Sequence, residues 1–158
     1  MISNNFKALF IHILVSAISF YMYFTFNIKA GIAEYATPEA YQKHLDFMMG
    51  ISIAIIVMAI ILYYIGARVL LKNKGKLARN FLSVSSVAVI GVVWWLVIFP
   101  ISELEAFSHS NVWETFSIYV SYMLSLVENV KKDRPLLLLV STLLPSIVMT
   151  VGIKKVKK

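Results

Sequence analysis

The stretch "MMGISIAIIVMAIILYYIGARVLLKNKGKLAR", residues 48–79, decides how the whole chain is read. No charged residue falls between Asp46 and Arg68. At ~1.5 Å per residue, a helical run of about 20 residues crosses the ~30 Å hydrocarbon core of a bilayer. The run ends in Arg68, Lys72, Lys74, Lys76 and Arg79 with no acid among them, the pattern of a short cytoplasmic loop after a membrane span.

Three further runs share this character. Spans are expected at about 6–27, 40–72, 82–102 and 135–153. The composition agrees: 59% of the 158 residues are hydrophobic and the mean hydropathy is +0.79, more apolar than water-soluble domains of this length. The predicted fold class is all-α: a polytopic membrane protein with four transmembrane helices in a bundle and an amphipathic outer helix between the third and fourth spans. No repeat, low-complexity tract or long linker divides the chain, so residues 1–158 read as a single integral membrane domain. The first apolar run exceeds a signal-peptide core, and only Ala30-Gly31-Ile32-Ala33 approaches a cleavage site, so this run reads as a retained span.

Orientation follows from the cations. The 68–79 segment and the tail "KKVKK" (Lys154, Lys155, Lys157, Lys158) contain no acid, and Lys7 precedes the first span. All eight acids fall in the other two loops, mixed with Lys29, Lys43, Lys131, Lys132 and Arg134. Both termini are therefore expected in the cytoplasm of a multi-pass cell-membrane protein. The formal charge of +7 fits anionic lipid headgroups, and no nucleic-acid partner is expected.

The amphipathic helix is placed at about 112–131. Its uncharged core, from Thr115 to Val127, is short for a crossing, and Phe116, Val120 and Met123 oppose Glu114, Ser117 and Ser121. It is expected to lie on the outer face or to cap the bundle, with a re-entrant course as the lesser option. Thr37 and Pro38 read as the N-cap and first position of the second helix, which then projects outward by about two turns.

Few residues suggest chemistry. His12 is the one ionisable side chain well inside a span, and it shares a face with Ser16, Ser19 and Tyr23. That stripe is expected to turn inward, either as a proton- or ligand-responsive site or as helix-packing polarity. In "GVVWWLVIFPISELEAF" (residues 91–107), adjacent positions are turned by ~100°. One of Trp94 and Trp95 should therefore face lipid and the other the bundle. Glu103, Glu105 and His109 lie just beyond, with a Glu105/His109 spacing that could serve a metal. No HExxH, EF-hand, G-x-S-x-G, P-loop or dinucleotide signature accompanies them, and no cofactor is expected. Cysteine is absent, which excludes thiolate sites and disulfides.

In architecture alone, the size, span number and paired basic segments are similar to small bacterial membrane proteins such as immunity proteins against pore-forming bacteriocins; no residue role carries over. The leading expectation is a non-enzymatic protein that acts through a membrane-protein partner or a second copy, in an accessory, regulatory or immunity-type role. A small transporter, channel or holin-like pore comes second, and an outer-leaflet metal-dependent enzyme third.

Overall fold

The structure, a computed structural model, describes residues 1–31, 37–98, 111–129 and 134–154. Among these, every regular element is helical: α1 (Ile2–Gly31), α2 (Pro38–Leu70), α3 (Leu77–Leu82), α4 (Ser85–Ile98), α5 (Asn111–Tyr119), α6 (Ser121–Asn129) and α7 (Arg134–Gly152). Helices α1, α2 and α7 are each long and apolar enough to cross a membrane, and they correspond to the first, second and fourth expected spans. Helix α2 begins where its cap signal predicts: Thr37 Oγ1 accepts the Ala40 N–H at 3.2 Å and Pro38 opens the helix.

The third expected span takes a different form. Helix α4 has 14 residues and is about 21 Å long, preceded by the short α3. A run of serines accounts for the interruption between them. Ser83 and Ser85 donate their hydroxyls to the carbonyls of Asn80 and Leu82, and the Ser86 N–H is taken by Asn5 Oδ1 of α1. Side chains that compete for backbone groups in this way loosen a helical ladder. Positions 99–102 of the expected span, including Pro100, lie outside the described residues.

Helices α1 and α2 run antiparallel, with Asn4 at Lys72, Lys7 at Leu70 and His12 at Tyr63. So do α4 and α7, with Ser146 at Val84 and Ala88, and Trp95 at Pro135. The chain start, the 71–76 loop and Lys154 consequently meet at one basic end. Three asparagines fasten that end. Asn4 donates to the Lys72 carbonyl (2.7 Å) and accepts from the Lys72 N–H (3.1 Å). Asn80 Oδ1 accepts the Lys74 N–H (2.7 Å), and Asn73 Oδ1 accepts the Gly75 N–H (2.7 Å). Gly75 has φ +93°, a left-handed turn that favours glycine.

Packing turns polarity inward. On α1 the buried face comprises Asn4, Ala8, Ile11, His12, Val15, Ser16, Ser19 and Tyr23, at helical spacing. Phe6, Phe10 and Ile13 point outward, as do Ile53, Val57 and Ile61 of α2 and Val93 and Leu96 of α4. An apolar exterior around a hydroxyl-rich interior suits lipid as the surrounding solvent.

The segment expected to be one amphipathic helix at 112–131 is instead two helices, α5 and α6, that enter the bundle. Phe116, Val120, Tyr122, Met123 and Leu124 are buried, and so is Ser121, which the helical pattern had placed on the polar side. The chain breaks at Val120, level with Ser16 in the middle of α1 and Gly91 in the middle of α4. Ser16 makes the break tolerable. Its hydroxyl donates to the Tyr119 carbonyl (3.1 Å), while its own carbonyl accepts from Ser121 Oγ (2.7 Å). Backbone groups freed from a helix at such depth require partners inside the protein.

Two glycines allow the helices to close on one another. A Cβ at Gly91 would lie 2.7 Å from Thr142 Cβ and 3.0 Å from Tyr119 Cε1; one at Gly152 would lie 2.7 Å from the Tyr64 carbonyl oxygen. At Gly50 a Cβ would meet nothing within 4 Å. Gly91→Ala is accordingly expected to destabilise the fold by about 1–3 kcal/mol through overpacking. Gly50→Ala should be neutral or gain up to ~1 kcal/mol from helix propensity. Thermal unfolding of the two variants in the same detergent measures the contrast, and equal melting temperatures would contradict the α4–α5–α7 packing.

Candidate functional site

All four residues of the α1 stripe, His12, Ser16, Ser19 and Tyr23, are buried. Their surroundings are set by three tyrosines that the sequence reading did not single out. His12 Nδ1 lies 2.8 Å from the Tyr63 hydroxyl of α2. The imidazole packs edge-on to Tyr119 of α5 (ring centroids 4.1 Å apart, inclined 60°). Tyr63 meets Tyr122 of α6 in a T-shaped contact at 5.8 Å. The Tyr119 hydroxyl donates to the Val87 carbonyl on α4, and the Tyr122 hydroxyl to the Ser141 carbonyl on α7. One cluster therefore joins α1, α2, α4, α5, α6 and α7.

The adjacent pair Tyr63–Tyr64, close to Arg68, has the sequence pattern of an interfacial aromatic belt, which masks the buried role of Tyr63. Only Tyr64 fits that reading: it is exposed and its hydroxyl accepts from Arg68 Nη1 at 3.1 Å. Tyr119 and Tyr122 belonged to a segment assigned to the outer face. The available signal was their three-residue spacing, which places two phenols on one side of a helix.

The cluster carries no formal charge. Among the described residues, the fully buried polar side chains other than tyrosine are Asn, His, Ser and Thr, with no Asp, Glu, Lys or Arg. Among the described residues, two buried side-chain atoms have no hydrogen-bond partner, His12 Nε2 and Ser19 Oγ. With Tyr63 donating to Nδ1, the proton of the neutral ring falls on Nε2. Three other hydroxyls around the cluster are directed at carbonyls of other helices: Ser16 to Tyr119, Tyr119 to Val87 and Tyr122 to Ser141. The chemistry on offer is interhelical hydrogen bonding through neutral groups.

Both indoles differ from the expected division between lipid and bundle. Trp94 and Trp95 are each half-buried. Trp94 stands perpendicular to Phe116 and Tyr119 of α5 (centroids at 6.3 and 5.5 Å). Trp95 Nε1 donates to the Pro135 carbonyl of α7 at 2.9 Å. Helix α4 has a neighbour on two sides, so a ~100° turn moves the side chain from one helix to the next instead of into lipid. Glu103, Glu105 and His109 lie outside the described residues, and among those described no three His, Asp or Glu side chains gather as metal ligands.

Comparison with protein-family models, with curated proteins and with solved structures finds no match to this chain. The cluster is therefore tested on its own terms. Tyr63→Phe leaves both imidazole nitrogens without an oxygen partner and is expected to cost about 1–2 kcal/mol. In a double-mutant cycle with His12→Leu, the coupling should be ~0.6 kcal/mol and no higher than about 1.7 kcal/mol, the average and upper end for hydrogen bonds between membrane helices. Unfolding in mixed micelles measures it, and zero coupling would remove the His12–Tyr63 bond from the account.

Proposed function

We propose that this chain is a four-span integral membrane protein with cytoplasmic termini that works without catalysis, through lateral contact with another membrane protein. The observation that carries this reading is where the buried hydroxyls are directed. Tyr119, Tyr122, Ser16 and Ser121 donate to carbonyls of neighbouring helices and Ser146 to the Val84 carbonyl before α4, while Ser52, Ser141, Thr142 and Thr150 donate within their own helices, so the described polar interior is engaged in holding the bundle together. Recognition then falls to the outside. The outward extension of α2, where Tyr41 and Phe47 are exposed, and the apolar exterior of the bundle are the surfaces available.

Support for a fourth span comes from chain direction. Helix α2 arrives at the basic end and α7 starts from the opposite one, so the chain must travel back between them. Helix α4 runs antiparallel to α7, in the direction that return requires. The sequence has no cysteine, which makes single-cysteine labelling straightforward. A cysteine at Lys74 should react with an impermeant thiol reagent only after the membrane is opened, and one at Gln42 should react in intact cells. Labelling of both from the same side would refute the topology.

For the partner, crosslinking in membranes followed by mild-detergent purification should recover one reproducible membrane protein or a homo-oligomer. A strictly monomeric species with no partner would count against the reading. A second reading, an oligomeric pore or small transporter, draws support from the break between α5 and α6, because non-helical backbone at membrane depth is tolerated where it is buried in protein or lines a water-filled cavity. Ion or dye flux in reconstituted liposomes distinguishes the two.

A further inference from the structure

We propose that the turn between α2 and α3 is a preorganised site for the phosphodiester headgroup of an anionic phospholipid. This goes beyond the partner reading and requires only that the chain reside in a bilayer. Lys72, Lys74, Lys76 and Arg79 fall within eight residues, and no acid occurs anywhere between Asp46 and Glu103. Lys72, Lys76 and Arg79 are exposed. Lys154, whose carbonyl accepts from Asn73 Nδ2 at 2.9 Å, brings another cation to the same end.

Charge of this kind is common at membrane surfaces; the frame beneath it is what points to a site. A connecting loop needs no fixed shape, yet this one is held by buried Asn4 and Asn80 together with Asn73, which occupy the N–H groups of Lys72, Lys74 and Gly75. The backbone that carries the lysines is therefore fixed before any ligand arrives, which lowers the ordering cost of binding. Apolar surface lies alongside: Leu77 is 68% exposed and Leu82 51% exposed, flanking Arg79. Cations set against exposed leucines match a lipid, whose phosphate and acyl chains are joined, better than a free anion. Charge complementarity favours an anionic headgroup over a zwitterionic one, since each surface cation adds attraction to the former.

The test uses the full chain in nanodiscs containing equal phosphatidylglycerol and phosphatidylcholine at about 150 mM salt, with retained lipids counted by native mass spectrometry. The wild type should retain phosphatidylglycerol preferentially. K72Q/K74Q/K76Q/R79Q should lower that preference about ten-fold or more. Asn73→Ala keeps all four charges but frees the turn and should lower it about three-fold. Gly75→Ala, at φ +93° with open space around the Cβ, disturbs the same turn without crowding and should act like Asn73→Ala if that variant fails to fold. No preference in the wild type would overturn the proposal. So would full preference in a folded turn variant, which would reduce the effect to diffuse charge. Displacement of the lipid by millimolar inorganic phosphate would overturn it in favour of a soluble anion.

Discussion

The arrangement depends on one exchange of hydrogen bonds at the middle of the bundle. Ser16 gives its proton to the carbonyl of Tyr119 and takes one from Ser121 at its own carbonyl. Between those two residues the chain stops being a helix, at a depth where water is not there to satisfy a free carbonyl. Without a serine at this level of α1, the break at Val120 would leave a buried acceptor unpaired, at a cost of about 1–3 kcal/mol. With it, α5 and α6 reach the interior and bring Tyr119 and Tyr122 to His12 and Tyr63. The polar cluster, the close approach at Gly91 and the perpendicular stacking of Trp94 on Tyr119 all follow from that insertion.

Hydrogen bonds and small residues share the work of holding the helices together. In a bilayer, burial of apolar surface drives helix association only weakly, because lipid is as apolar as leucine. Close contact and interhelical hydrogen bonds supply the attraction. Gly91 lets the Thr142 and Tyr119 side chains, and Gly152 the Tyr64 backbone, approach to distances that a Cβ would forbid. The tyrosine hydroxyls then reach carbonyls on α4 and α7, and Ser146 spans from α7 to the Val84 carbonyl. A cluster of neutral donors and acceptors costs far less to bury than an ion would. His12 fits this pattern as the neutral hydrogen-bond partner of the Tyr63 phenol.

The periphery has two distinct ends. At the basic end, asparagines fix a turn and lysines project from it. Towards the opposite end, helix α2 carries an exposed extension on which Gln42 Nε2 donates to Asp46 Oδ1 at 3.0 Å. Partner contact and lipid contact would thus involve separate parts of the surface, and change at one need not disturb the other.

Much of this was legible from residue order. The uncharged run before Arg68 marked a helix long and apolar enough to cross a membrane, and Thr37-Pro38 marked where it begins, because both depend on neighbours in sequence. The inward stripe His12-Ser16-Ser19-Tyr23 followed from helical spacing alone. Two features needed the tertiary structure. The serines at 83–86 interrupt the third helix because Asn5 and Ser146 on other helices take up the backbone groups they release. The 112–131 segment has an amphipathic pattern that suits a surface helix equally well. It folds inward at a level where Ser16 of α1 satisfies its broken backbone. Periodicity records which side of a helix is polar; whether that side meets water or another helix's hydrogen-bonding groups is decided by the partner's position.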